Sequence, residues 1–187
     1  MSNLETLLSE LEATAEAYWN ISRENAIFLS SLLKAMGAKR VLEVGTSNGY
    51  STLWFADAVK QNGGEVITLE FDAARAALAR ENFQKAGLAV NITLIEGDAC
   101  QTLKTLAGSA PFDFVFLDAE KPEYAQYLRL AVPLTRTDGL IIGDDTISLA
   151  SQMPEYLALA FAHPELESVA VPIDDGIVLS RKVTERG

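Results

Sequence analysis

The chain has 187 residues, and 49% of them are apolar and 22% charged. That composition suits an ordinary folded domain with a sizeable core and excludes wholesale disorder. Fifteen basic residues against 26 acidic ones give a formal net charge of −11, which argues against nucleic acid or an anionic membrane surface as the main partner.

Cys100 is the only cysteine, so no intrachain disulfide framework can form. The first residues, MSNLETLLSELEATAEAYW, are acidic and carry no basic stretch ahead of an apolar one. Neither a signal peptide nor a membrane anchor is expected, and the composition suggests a cytoplasmic single domain spanning 1–187. Within it, residues 1–36 form a helical cap. All six prolines lie at or after Pro111, so the early helices and strands run without proline breaks.

Leu4, Leu7, Leu8 and Leu11 share one face of a first predicted helix, from Leu4 to about Trp19. It packs on its own domain or exchanges with a neighbouring copy. A second helix, Ser22 to Met36, has Ile27, Phe28, Leu32 and Leu33 as its expected buried side, Ser22 as its cap and Gly37 as its end. From Arg40 the period alternates. Strands are predicted at 41–44, 65–70, 92–96, 112–118 and 139–143, with helices at 51–60, 73–85, 99–107 and 124–132 between them. That alternation means a parallel sheet covered by helices. A helix from about Leu149 to Ala162 follows. Two strands, 167–173 and 176–182, then close the chain as a tight hairpin about Asp174–Asp175. The expected class is therefore α/β, seven-stranded and mostly parallel.

In such sheets ligands sit beyond the carboxyl ends of the strands. Glu43, Glu70, Asp98, Asp118, Asp144 and Asp145 all fall at those ends. The first strand leads into EVGTSNGYS, where Gly45 and Gly49 permit close backbone approach and Ser51 opens a helix. The spacing is neither that of a P-loop nor G-x-G-x-x-G. Glu43 at this mouth suits a ligand bearing an ammonium or sulfonium better than a pyrophosphate. Glu70, ending the second strand, is placed to accept both hydroxyls of a ribose. Asp98 and Ala99 follow the third strand, where they can flank an adenine ring.

Asp118 ends the fourth strand, and Asp144 with Asp145 ends the fifth. Three such carboxylates repel one another unless protonated or neutralised by a cation. An all-oxygen set favours magnesium, manganese or calcium, while a general acid/base pair and helix capping stay open as other uses. Lys121, three residues after Asp118, is a candidate base beside a metal. Tyr124 and Tyr127 read as packing residues, and His163 as a cap or surface residue.

Taken together, KRVLEVGTSNGYSTLWFA, VITLEFD, LIEGDA, FDFVFLDAEKPEY and VAVPIDDGIVLSRK resemble the metal-dependent, S-adenosylmethionine-using O-methyltransferases, the group of the catechol and caffeoyl-coenzyme A enzymes. The resemblance implies a Rossmann-like methyltransferase fold with an antiparallel last strand. It places Glu43, Gly45, Thr46, Ser47, Gly49 and Ser51 around the methionine part of the donor, with Ser51 near its carboxylate. Glu70 then holds the ribose, Asp98 and Ala99 flank the adenine, and Asp118 touches the donor as well as the metal. Asp118, Asp144 and Asp145 fall on the metal positions and Lys121 on that of the catalytic base. The implied cofactors are S-adenosyl-L-methionine and a divalent cation, magnesium first, with a small catechol-like or phenolic acceptor and a homodimer. The third metal position is usually asparagine in that family, where this chain has Asp145. The segment 146–157 after it is also short. A donor-binding protein without catalysis, or an enzyme for another acceptor class, is the alternative. A nicotinamide oxidoreductase would need a different glycine spacing and leaves the clustered aspartates without a use.

Overall fold

A computed structural model describes residues 3–184. Its contacts divide the chain into two compact units, one ending at Asp98 and the other beginning at Ala99.

The first unit opens with α1 (Asn3–Glu12) and a single turn, α2 (Ala15–Tyr18). The one long helix expected here breaks because the carbonyl of Leu11 accepts from the Thr14 hydroxyl at 3.1 Å and from the Asn20 amide at 3.2 Å. These local bonds compete with helix continuation. Leu7, Leu8 and Leu11 are buried within this unit. Helix α3 (Arg23–Ala35) starts at Ser22, whose side chain accepts from the Asn25 N–H at 3.1 Å as expected of a cap. Leu33 is buried and Phe28 and Leu32 half-buried on the expected side, but the inward face is centred closer to Ala26 and Ser30. Asn25, Ala26, Leu29, Ser30 and Leu33 face inward, whereas Ile27 is 46% exposed.

Strand β1 (Arg40–Val44) pairs in parallel with β2 (Glu65–Glu70), and β2 with β3 (Ile92–Glu96). Helices α4 (Tyr50–Lys60) and α5 (Ala73–Lys85) follow β1 and β2. Val41, Leu42, Leu53, Phe55, Val59 and Val66 are fully buried among them.

The second unit contains α6 (Ala99–Thr105), β4 (Phe112–Leu117), α7 (Tyr124–Leu134), β5 (Thr135–Gly143), α8 (Pro154–Ala162), β6 (Leu166–Val171) and β7 (Ile177–Lys182). β4 and β5 are parallel, while β7 is antiparallel to both β5 and β6. The strand count is therefore seven, mostly parallel with an antiparallel last strand. The helix expected from Leu149 starts only at Pro154, a residue suited to a first turn because it has no N–H to leave unpaired. The hairpin loop is five residues rather than two. Pro172 cannot donate to the ladder, and two local bonds, Ile173 N–H to Val171 O at 2.9 Å and Gly176 N–H to Ile173 O at 2.8 Å, turn the chain instead. His163 caps α8, with its Nδ1 accepting from the Glu165 N–H at 3.2 Å. Among the described residues no helix is long and apolar enough to cross a membrane.

Candidate active site: a hydroxyl-bound glutamate loop and a carboxylate–lysine cluster

In the first unit the chain leaves β1 through a loop with three left-handed residues, Gly45 (φ 102°), Ser47 (φ 49°) and Gly49 (φ 86°). The N–H groups of Gly45 and Thr46 donate to Leu69 O at 3.0 and 3.2 Å, which draws the loop over the end of β2. Gly49 is required twice, by its backbone angle and by its neighbours. A Cβ there would lie 2.5 Å from Cε1 of Phe83.

Glu43 is fully buried. Its Oε1 accepts from the Ser51 hydroxyl at 2.6 Å, and its Oε2 from the hydroxyls of Thr68, at 2.6 Å, and Thr52. The hydroxyls of Thr68 and Thr46 are themselves 2.6 Å apart. Glu43 thus faces a knot of hydroxyls and ties the loop, the start of α4 and β2 together. Ser51, expected near the donor carboxylate, spends its hydroxyl on this knot. Thr68 escaped the sequence reading, although it is the register partner of Glu43 in the β1–β2 pair. A threonine inside a buried strand was the available signal.

Glu70 is anchored from two sides. Its Oε2 accepts from the Ser47 N–H at 2.7 Å and its Oε1 from the Asp72 N–H at 2.8 Å. Each carboxylate oxygen can accept again, so both remain competent toward a vicinal diol. The Gly97 N–H donates to Glu70 O at 2.8 Å, which brings the third strand's end, with Asp98 exposed and Ala99 half-buried, to the same edge.

In the second unit the β4–β5 register sets Leu117 opposite Gly143, so Asp118 and Asp144 leave adjacent strands side by side. One carboxylate oxygen from each of Asp118, Asp144 and Asp145 lies within 4.8 Å of the others. Asp144 is buried and its N–H donates to Leu117 O at 3.0 Å. Asp145 takes the left-handed conformation (φ 58°), which aspartate and asparagine tolerate best among residues with side chains. The backbone at this position therefore accepts Asp145 where asparagine is usual in the resembling family. The three carboxylates are hard oxygen donors of the kind a divalent cation takes, and oxygens up to 4.8 Å apart would have to draw in to about 3 Å to become adjacent ligands of one small ion.

Lys121 Nζ stands 2.9 Å from Asp118 Oδ1, 2.7 Å from Asp145 Oδ2 and 2.8 Å from the Tyr124 hydroxyl. Burial disfavours its ammonium, but the Asp118 and Asp145 carboxylates outweigh burial and hold its pKa above the ordinary lysine value. Asp118 is raised chiefly by burial, with Asp145 and Asp174 adding to the rise and Lys121 opposing it. Tyr124 is raised well above an ordinary phenol by burial, then by the three aspartates, and stays neutral. The expectation that Tyr124 packs is met, since its ring meets that of Tyr156 edge-on at 5.3 Å. Its hydroxyl, however, belongs to the polar cluster, which apolar periodicity cannot reveal.

A family model described as O-methyltransferase matches residues 1–183. The chain belongs to the O-methyltransferase family. A catechol O-methyltransferase of Niastella koreensis is 39% identical over 148 residues, covering 76% of this chain and 66% of that relative, so slightly less than two thirds of the relative is matched. Among solved structures, an O-methyltransferase from Klebsiella pneumoniae superposes with a TM-score of 0.89 at 32% identity, covering 98% of this chain and 91% of that one. An O-methyltransferase from Bacillus cereus, solved in complex with SAH, gives a TM-score of 0.83 at 31% identity, with 97% and 91% covered. The family, by the description of its model, is one of methyl-transferring enzymes.

Proposed function

We propose that the chain methylates one hydroxyl of a small catechol-like acceptor with S-adenosylmethionine, assisted by a divalent cation held by Asp118, Asp144 and Asp145. The observation that carries this reading is the convergence of the three carboxylates with Lys121 between two of them. Such a cation, magnesium first, would bind the acceptor's adjacent oxygens and favour the deprotonated hydroxyl.

On this reading Glu70 holds the donor ribose through oxygens already oriented by Ser47 and Asp72. Gly45, Thr46, Ser47 and Gly49 line the methionine part with backbone groups. Glu43 and Ser51 fix the loop's shape. Asp98 and Ala99 flank the adenine, and Asp118 contacts the donor as well as the cation. Lys121 takes the proton of the reacting hydroxyl. Burial already works against its ammonium, and the carboxylates that sustain the charge are those assigned to the cation. The acceptor oxygen then displaces the sulfonium along the carbon–sulfur axis, so positioning supplies much of the rate.

The match of one family model over residues 1–183 supports reading the chain as a single catalytic domain. The exposed Ile27, with Phe28 and Leu32 half-buried on the same helix, supports a homodimer. The absence of a second cysteine suits a cytoplasmic setting.

The test is transfer of a labelled methyl group from S-adenosylmethionine to catechol, with magnesium and again with excess chelator. Transfer is expected with magnesium and lost with chelator. Asp144→Asn should lower magnesium-dependent turnover by at least about 100-fold while donor affinity is kept. Donor binding without transfer to any catechol under either condition would overturn the acceptor assignment, and chelator-resistant transfer would overturn the cation.

A further inference from the structure

We infer that Tyr124 is a positioning residue for Lys121, holding its amine through a hydroxyl oriented by the main chain of β4. The inference rests on the proposed role of Lys121 as base and adds to it the group that aims that base.

An ammonium has three N–H donors and no acceptor. Lys121 has three acceptors in reach: Asp118 Oδ1, Asp145 Oδ2 and the Tyr124 oxygen, at 2.9, 2.7 and 2.8 Å. The two carboxylates belong to the cluster assigned to cation and acceptor. Tyr124 is the partner of a different kind. Its one proton is committed to Leu117 O at 2.9 Å, so in its contact with Lys121 it can only accept. It therefore takes an N–H and leaves the rest of the amine directed toward Asp118 and Asp145.

The mount is rigid. Tyr124 is fully buried, its ring is pinned edge-on by Tyr156, and Lys121 Nζ lies 4.9 Å from the ring centroid. The same Leu117 carbonyl also accepts from the Asp144 N–H at 3.0 Å. One main-chain oxygen at the end of β4 thus sets the amine, through Tyr124, and the first residue beyond β5. Lys121 and Tyr124 lie one turn apart, across the short helical turn Lys121–Glu123 and the start of α7.

Tyr124→Phe tests this. The ring and its contacts stay, and Leu117 O keeps its bond from Asp144, so no buried acceptor is stranded and the melting temperature should move little. With magnesium and catechol, kcat should fall about tenfold while the acceptor KM and donor Kd hold, because displacement of a catalytic group acts on the chemical step. A second measurement needs no turnover. In metal-free protein, acetylation of Lys121 by acetic anhydride, followed by peptide mass spectrometry, should run several-fold faster in the variant, while exposed Lys85 is modified at the same rate in both.

Unchanged kcat, or unchanged labelling of Lys121, would overturn the inference. A rise in KM with constant kcat would also overturn it, by making Tyr124 part of acceptor binding. If wild-type protein transfers no methyl group to catechol, it is the acceptor assignment that fails. The labelling rate then still reports separately whether Tyr124 holds the amine.

Discussion

Replacing Gly49 by alanine tests the geometry of the loop that follows β1. The residue sits at φ 86°, and an added Cβ would lie 2.5 Å from Cε1 and 3.1 Å from Cζ of Phe83. Holding alanine in the left-handed region costs about 1–2 kcal/mol. Phe83 is 3% exposed on α5, so relief of the clash must displace a buried ring and adds roughly 1–3 kcal/mol of overpacking. The expected destabilisation is about 2–5 kcal/mol, a large share of the roughly 5–15 kcal/mol typical of a folded domain. In a chain of this size that lowers the melting temperature by very roughly 5–15 °C. The two contributions separate in a urea-unfolding cycle with Phe83→Leu, which removes the outer ring atoms. In that background Gly49→Ala should cost only the conformational part, leaving a coupling of about 1–3 kcal/mol. Equal costs in both backgrounds, within about 0.5 kcal/mol, would refute the clash. A neutral Gly49→Ala would refute the left-handed loop itself.

Glu43→Gln keeps the shape but sets an amide NH2 among hydroxyls that now donate to Glu43. A loss of about 1.5–3 kcal/mol is expected in urea unfolding, and a loss below about 0.5 kcal/mol would show that Ser51, Thr52 and Thr68 do not depend on the carboxylate. Ser22→Ala removes the acceptor that caps α3, at about 1 kcal/mol. Calorimetry should record a drop of about 2–4 °C with donor affinity unchanged; a change in affinity instead would tie the cap to the binding loop.

Regular alternation was easy to read. The strands 65–70 and 92–96 and the helix 73–85 lie where the apolar pattern puts them. β5 starts four residues earlier than expected because Arg136, Thr137 and Asp138 are polar and not buried, and so leave no apolar signature. On α3 the apolar pattern finds Leu33 but puts Ile27 inside where Ala26 and Ser30 are buried, because small residues carry little weight in a hydrophobic pattern.

Within the candidate site, Lys121 and Asp118 are three residues apart, so their contact could be anticipated. The Lys121–Asp145 ion pair could not, since it depends on the parallel register that sets Leu117 against Gly143. Tyr124 stayed hidden for another reason. Its hydroxyl answers to a main-chain carbonyl, and main-chain acceptors are the same at every position of a sequence.

Ser47 has a consequence for the order in which the protein assembles. Its N–H reaches the carboxylate that ends β2, and its hydroxyl reaches the Tyr18 carbonyl at 2.8 Å, so three stretches of chain distant in sequence meet at one loop residue. No local segment contains the instructions for this loop; a peptide of residues 40–60 lacks both partners of Ser47. Loop closure of this kind is entropically costly until non-local contacts compensate it. During refolding, the amide of Ser47 should therefore gain hydrogen-exchange protection late, together with the segment around Tyr18 and after β1 and β2 have paired. Pulse-labelling during refolding would time the three events, and protection of Ser47 ahead of β1–β2 pairing would contradict that order. The shape of this loop is then among the last features the chain acquires.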